Sequence, residues 1–177
     1  MSKYPSKWNG GGAETECGGG SKFENSVRFR EFLIKILKKY KVKTVTDLGC
    51  GDNNVLREVD FSEIDYLGYD CVPRNSFLPT EVRDIVIASY RKSDLLICRD
   101  VMIHLPNEMC ESIIENARNA SKLILASTFT HCNNFERMNE PSFGFAPINL
   151  VDKPFNLKLV DRAREHHVNK YIGLFEL

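Results

Sequence analysis

Two acidic residues and a pair of glycines between them are the most informative chemistry in this chain. Asp47-Leu48-Gly49-Cys50-Gly51-Asp52 closes an apolar run, and Asp70 follows Asp47 by 23 positions at the end of the next apolar run. The glycines let a backbone turn sharply and approach a ligand with no side chain in the way. A carboxylate about 20 positions further on, at the tip of the next strand, can accept both hydroxyls of a ribose. A dinucleotide site would carry G-x-G-x-x-G. Here Gly49-Cys50-Gly51-Asp52-Asn53-Asn54 lacks the last glycine, and the carboxylates of Asp47 and Asp52 flank the turn, which suits a pyrophosphate poorly.

The elements that must position these residues follow from periodicity. From Asn25, Val27, Phe29, Phe32, Leu33, Ile36, Leu37 and Tyr40 recur at helical steps, and a lysine-rich end complements the helix dipole. Val42 to Leu48 reads as a strand, Gly49 to Asp52 as a tight turn and Asn53 to Val59 as a short helix. Tyr66 to Tyr69 reads as a strand ending at Asp70, Glu81 to Ile87 as a third strand and Asp94 to Cys98 as a fourth. Pro106 to Asn119 reads as a helix and Lys122 to Ser127 as a buried strand. Lys158 to Arg162 and Lys170 to Glu176 read as two final strands joined through Arg164-Glu165-His166-His167. Alternating strands and helices predict an α/β fold: a Rossmann-like, mostly parallel sheet with helices on both faces. The last two strands have no helix between them, so they should form an antiparallel hairpin at a sheet edge.

Composition limits the classes. The 177 residues fit one domain, with 24 basic and 24 acidic side chains, so no global charge favours nucleic acid. The six cysteines form no C-x-x-C pair, which argues against a zinc site or disulfide framework and fits a reducing cytoplasm. No apolar run approaches the roughly 20 residues of a membrane span, and no secretory signal is visible. The expected organisation is a glycine-rich arm over 1–24, either a flexible tail or a cofactor lid, followed by a single domain over 25–177. Oligomeric state is not legible.

Asp47 to Asp52 resembles the first motif of the class I S-adenosylmethionine-dependent methyltransferases, and Tyr66-Leu67-Gly68-Tyr69-Asp70 resembles the second. Asp94 to Leu105 is similar to the fourth-strand segment of many small-molecule and uncharacterised members. S-adenosylmethionine carries no phosphate but bears an ammonium and a sulfonium, so nearby carboxylates are tolerable. The resemblance implies that Gly49, Cys50 and Gly51 lie against the methionine part of the cofactor and that Asp47 helps to bind its ammonium, directly or through water. It implies Asp70 on the ribose, Asp84 on the adenine amine, and Arg99 and Asp100 facing the methionine and the substrate. Two departures stand out: Asn53 replaces a third glycine, and Asp70 and Asp84 are only 14 positions apart, with Pro73 and Pro79 discouraging a crossover helix.

Methyl transfer needs orientation and, for a weakly acidic acceptor, a base. His104, His131 and Asp100 are the candidates. His104 could equally order its loop through backbone hydrogen bonds, and His131 could equally be a loop residue. His166 and His167 read as surface. Asp152, Asp161 and Glu165 are scattered, so no metal is expected. The segment after the fourth strand, Asp100-Val101-Met102-Ile103, lacks the Asn/Asp-Pro-Pro-aromatic pattern of amino-DNA methyltransferases, and Cys132 lacks the preceding proline of cytosine-C5 enzymes. The expected acceptor is therefore a small molecule, with nucleic acid left open. A non-catalytic binding module, or another use of the same cofactor, is the alternative. Phe135, Phe143 and Phe145, in the long Asn133 to Pro154 loop, either line a substrate pocket or pin the loop to the core.

Overall fold

The computed structural model describes residues 10–136, 144–165 and 169–177. Seven strands form one sheet: β1 (Thr44–Leu48), β2 (Asp65–Asp70), β3 (Thr80–Val82), β4 (Leu95–Cys98), β5 (Leu123–Phe129), β6 (Lys158–Arg164) and β7 (Lys170–Glu176). Their order is β3-β2-β1-β4-β5-β7-β6. The first five are parallel; β7 pairs antiparallel with β5 and with β6, as the missing helix between the last two strands requires.

Two α-helices lie among the described residues, α1 (Val27–Lys39) and α2 (Asn107–Arg118). Alternation along β4 shows the two layers. Leu95 and Ile97 join Phe29, Phe32, Leu33 and Ile36 of α1, whereas Leu96 and Cys98 join Cys110, Ile113 and Ile114 of α2. Each helix therefore covers one face. Lys41 adopts a left-handed conformation (φ 52°) just past α1, and the Val42 N–H donates to Leu37 O, closing the helix end as a glycine usually would. None of the described helices is long and apolar enough to cross a membrane.

The β2–β3 side departs from the expected pattern. The segment 71–79 holds no helix and is shorter than the roughly dozen residues of an ordinary parallel crossover. The third strand is Thr80–Val82 rather than Glu81 to Ile87, because Asp84 starts a turn whose carbonyl accepts from Ile87 and Ala88. The short helix expected over Asn53 to Val59 is one 3-10 turn, Asn54–Leu56. Left-handed Asn53 (φ 59°) and Glu58 (φ 67°) stop it at both ends.

Candidate functional site

The turn after β1 is fixed by main-chain bonds. The amides of Gly49 and Cys50 both donate to Tyr69 O, at 2.7 and 3.1 Å, so the turn is hung on the end of β2. Gly49 has φ +74°, and a Cβ there would lie 2.4 Å from Val101 Cγ2; the close approach of the two loops requires glycine. The next amide, Gly51 N–H, donates to Asp70 Oδ2 at 2.9 Å, and Val72 N–H donates to Asp70 Oδ1 at 2.9 Å. Each Asp70 oxygen thus holds one backbone donor and retains a lone-pair direction for another.

These groups border a cavity of about 650 Å3 at the carboxyl ends of the parallel strands. It lies where the chain leaves β1 toward β2 on one side and β4 on the other, the position at which such sheets bind ligands. Of the residues singled out from the sequence, Gly49, Gly51, Asp70, Asp84, Arg99, Asp100 and His104 line it. Asp84 is half-buried, and its Oδ1 accepts from Val86 N–H at 3.0 Å.

Asp47, Cys50 and His131 do not line the cavity. The Asp47 carboxylate is buried in the sheet and accepts from the Tyr66 hydroxyl at 2.9 Å, while Asn53 Nδ2 donates to that hydroxyl at 2.9 Å. Burial pushes the Asp47 carboxyl up to about 7, despite the Tyr66 bond. The side chain points to Tyr66 and is not among the groups that line the cavity, which leaves the water-mediated form of the expected contact with the cofactor's ammonium. The Cys50 side chain packs on β2: a Cβ at Gly68 would lie 2.6 Å from its Sγ, and burial pushes its thiol well above the usual range. Cys50 can offer a ligand only its backbone. His131 is exposed, in a left-handed conformation (φ 64°), and is not among the residues that line the cavity. His166, His167, Phe143 and Trp8 lie outside the described residues.

Asp100 sits in a buried network that the sequence did not reveal. Lys170 Nζ is 2.8 Å from Asp100 Oδ2 and 2.8 Å from Glu165 Oε2. Arg99 Nη1 is 3.3 Å from Asp100 Oδ2, and Arg99 Nη2 is 3.1 Å from Glu165 Oε1. Ser127 Oγ donates to Asp100 Oδ1 at 2.6 Å. Burial alone would raise the Asp100 carboxyl, but the charges of Arg99 and Lys170 outweigh it and hold the group well below the usual carboxylate range. A general base works best with a pKa near the working pH. Asp100 is held as an anion in the cavity wall, an environment that favours the charged form over proton uptake.

His104 keeps its candidacy. It lines the cavity, and its Nδ1 lies 2.7 Å from Gly144 O. A carbonyl only accepts, so the neutral ring carries its proton on Nδ1 and its basic lone pair on Nε2. One bond serves both roles weighed from the sequence: it orders the loop and sets the tautomer a base would need.

The glycine-rich arm is docked where it is described. Thr15 Oγ1 donates to Asp52 Oδ2 at 2.7 Å, Glu16 N–H donates to the same oxygen at 3.0 Å, and Asn54 Nδ2 donates to Glu14 Oε1 at 2.7 Å. Arg99 Nη2 donates to Gly20 O at 3.1 Å. Residues 17–21 form part of the cavity wall. Lys170, Glu165 and Arg74 were missed. Each is one ordinary charged residue in sequence, and only the pairing of β7 with β5 brings Lys170 to this end of the sheet.

No protein-family model and no curated protein sequence matches the chain. Solved structures do match in fold. The magnesium protoporphyrin IX methyltransferase ChlM of Synechocystis, with bound SAH, superposes with a TM-score of 0.63 at 12% identity, covering 88% of this chain and 84% of that one. The N-methyltransferase NodS of Bradyrhizobium japonicum, in complex with S-adenosyl-L-homocysteine, gives 0.62 at 14% identity, covering 85% and 87%. An S-adenosylmethionine-dependent methyltransferase from Clostridium acetobutylicum gives 0.63 at 12% identity, covering 85% and 91%. The chain has the Rossmann-like fold of the class I methyltransferases.

Proposed function

We propose that this chain is an S-adenosylmethionine-dependent methyltransferase acting on a small molecule. The observation that carries the reading is Asp70, a carboxylate held by Gly51 and Val72 amides at the tip of β2 and turned to a cavity at the switch point of the sheet. That donor set fits the cofactor. The remaining lone pairs of Asp70 suit two ribose hydroxyls, and the Gly49 and Gly51 backbone offers an uncovered edge to the methionine part. Asp84 is assigned to the adenine amine. The volume falls within the roughly 300–1,000 Å3 of small-molecule sites. Several neighbours of the same fold were solved with this cofactor or its demethylated product.

S-adenosylmethionine, when bound, supplies a methyl group activated by its sulfonium. The chain's residues then have to bind, orient and deprotonate. Asp70 anchors one end, the wall built on Arg99, Asp100 and Lys170 holds its shape, and His104 accepts the acceptor's proton through Nε2. Residues 17–21 close the cavity from one side. Removing residues 1–20 should weaken cofactor affinity; unchanged affinity would sink the lid assignment. The free thiols favour a reducing cytoplasm.

A non-catalytic module or another use of the cofactor is the second reading. The missing crossover between β2 and β3 favours it, because the adenine side rests on a loop and a turn. Parallel calorimetric titrations with S-adenosylmethionine, S-adenosylhomocysteine and NAD test the assignment: both sulfur compounds should bind and NAD should not. NAD binding alone would overturn it. Formation of S-adenosylhomocysteine only when a cell extract is present marks transfer; consumption of S-adenosylmethionine without extract marks a different chemistry.

A further inference from the structure

The two edges of the sheet are built differently. β6, at one end of the strand order, carries a register shift between Leu159 and Asp161, exposed cations at Lys158, Arg162 and Arg164, and a tie from Asp161 to Lys35 of α1 at 2.9 Å. A bulge, charges and a neighbouring helix are ways in which an edge is kept from pairing with another chain. β3, at the other end, has neither a bulge nor a helix beside it. Its three residues are exposed, it pairs with β2 in unbroken register, and neither 71–79 nor 83–94 holds a helix to cover it.

The pleat sorts what this edge offers. Pro79 O accepts from Gly68 N–H at 2.9 Å, and Arg83 N–H donates to Asp70 O at 2.8 Å. Those groups face β2, so alternation turns the N–H and C=O of Thr80 and Val82 outward, where the sheet has no further strand. The side chains alternate as well. Thr80 and Val82 stand beside Gly68 and Asp70, and Glu81 stands beside Tyr69 on the opposite face. Arg83 shares that opposite face: its Nε is 2.7 Å from Glu81 Oε2, and its guanidinium lies over the Tyr69 ring at 4.9 Å.

This pattern is self-complementary. Two copies of β3 laid antiparallel about a two-fold axis at Val82 exchange N–H···O bonds between the two Val82 residues. Glu81 of each copy then stands directly opposite Arg83 of the other, in the pair position where side chains come closest. Every charge has an opposite neighbour along its own strand and another across the axis. The Val82 side chain, 63% exposed, is covered by its twin. Moving the axis to Glu81 would set Glu81 against Glu81, which like-charge repulsion disfavours. The charges therefore select both the partner and the register.

We propose that β3 is a homodimer edge, on which a second copy of this chain pairs antiparallel and joins the two sheets into one. A ladder this short gives a reversible dimer. The pairing braces the side of the cavity that lacks a crossover helix, because Asp84 of the cavity wall follows the paired segment directly. It stands whatever the cavity binds.

The test is the mass of the full chain by sedimentation velocity and native mass spectrometry over a concentration series. The parent should shift from monomer to dimer as concentration rises. Glu81→Lys sets cation against cation and Arg83→Glu sets anion against anion, so each variant alone should dimerise at least about tenfold more weakly. An equal mixture of the two variants should form the mixed dimer with an affinity within about threefold of the parent, because each then meets an opposite charge across the axis. Val82→Pro removes an outward N–H and leaves the bonds to β2 in place, so it should abolish the dimer while keeping the parent's circular dichroism. A parent that stays monomeric at its highest soluble concentration overturns the proposal. A mixture no tighter than its components shows that Glu81 and Arg83 serve only each other within one chain, which overturns the register. A Val82→Pro chain that dimerises like the parent places the contact on another face and overturns the edge assignment.

Discussion

Asp47, buried, and Asp100, half-buried, are carboxylates at the carboxyl ends of neighbouring parallel strands, yet they hold their protons oppositely. Asp47, in β1, has a phenol hydroxyl as its partner, and burial raises it to about 7. Asp100, just past β4, lies between two cations and a serine hydroxyl and stays anionic far into acid. The difference teaches that depth alone does not decide the charge of a carboxylate. A neutral donor offsets only part of the desolvation cost, whereas full opposite charges at hydrogen-bond distance exceed it.

The two groups tilt stability in opposite directions. Asp47 is raised above its unfolded value, so the folded state keeps a proton that the unfolded state has lost. Its contribution falls as pH rises from about 4 to about 7. Asp100 is depressed, so its contribution is present above about 4 and is lost as pH falls toward its folded value.

The largest expected effect comes from breaking the second arrangement. Lys170→Met leaves Asp100 and Glu165 to share Arg99, and urea denaturation near neutral pH should show a loss of up to about 5 kcal/mol. Lys170→Arg should recover most of it; a Met variant as stable as the parent would refute the network. Asp47→Asn should abolish the slope between pH 4 and 7, worth roughly 4 kcal/mol at about 1.4 kcal/mol per pK unit. The variant should therefore match or exceed the parent above pH 7, and an unchanged slope would show that Asp47 is ionised in the fold. Asp70→Ala should cost about 1–3 kcal/mol in S-adenosylhomocysteine affinity by calorimetry. It should also lower the Asp47 pKa, because the Asp70 charge helps to raise it. Thr15→Val removes the strap bond to Asp52 without touching either aspartate. It should cost about 1 kcal/mol in stability and leave both pH slopes in place.

Much of the scaffold was legible. The α1 stripe, the strands ending at Leu48, Asp70 and Cys98, and the terminal hairpin all follow from local periodicity, which burial on one or both faces imposes directly. The β2–β3 side was read less well, since β3 is an exposed edge of Thr80, Glu81 and Val82 with no apolar pattern to mark it. Gly49, Gly51 and Asp70 line the cavity, and a tight turn followed by a carboxylate at a strand tip has a fixed spacing that a sequence displays. The same spacing does not say which way the Asp47 side chain points. Here the pleat turns it under the turn, toward Tyr66.

What the sequence by itself determined was therefore the order of elements, the parallel sheet with its antiparallel edge, and the tight backbone turn that follows β1. These are properties of near neighbours along the chain, set by side-chain periodicity and by where glycine or a polar cap must fall. Only the tertiary structure decided that Lys170 and Glu165 lock Arg99 and Asp100, that the arm residues Cys17 to Ser21 wall the cavity, and that the Gly144 carbonyl beside Phe145 meets His104. Among the hydrogen bonds of the arm, Thr15 with Asp52 spans 37 positions and Arg99 with Gly20 spans 79. Their energies depend on distance and dielectric in space, which no local pattern records.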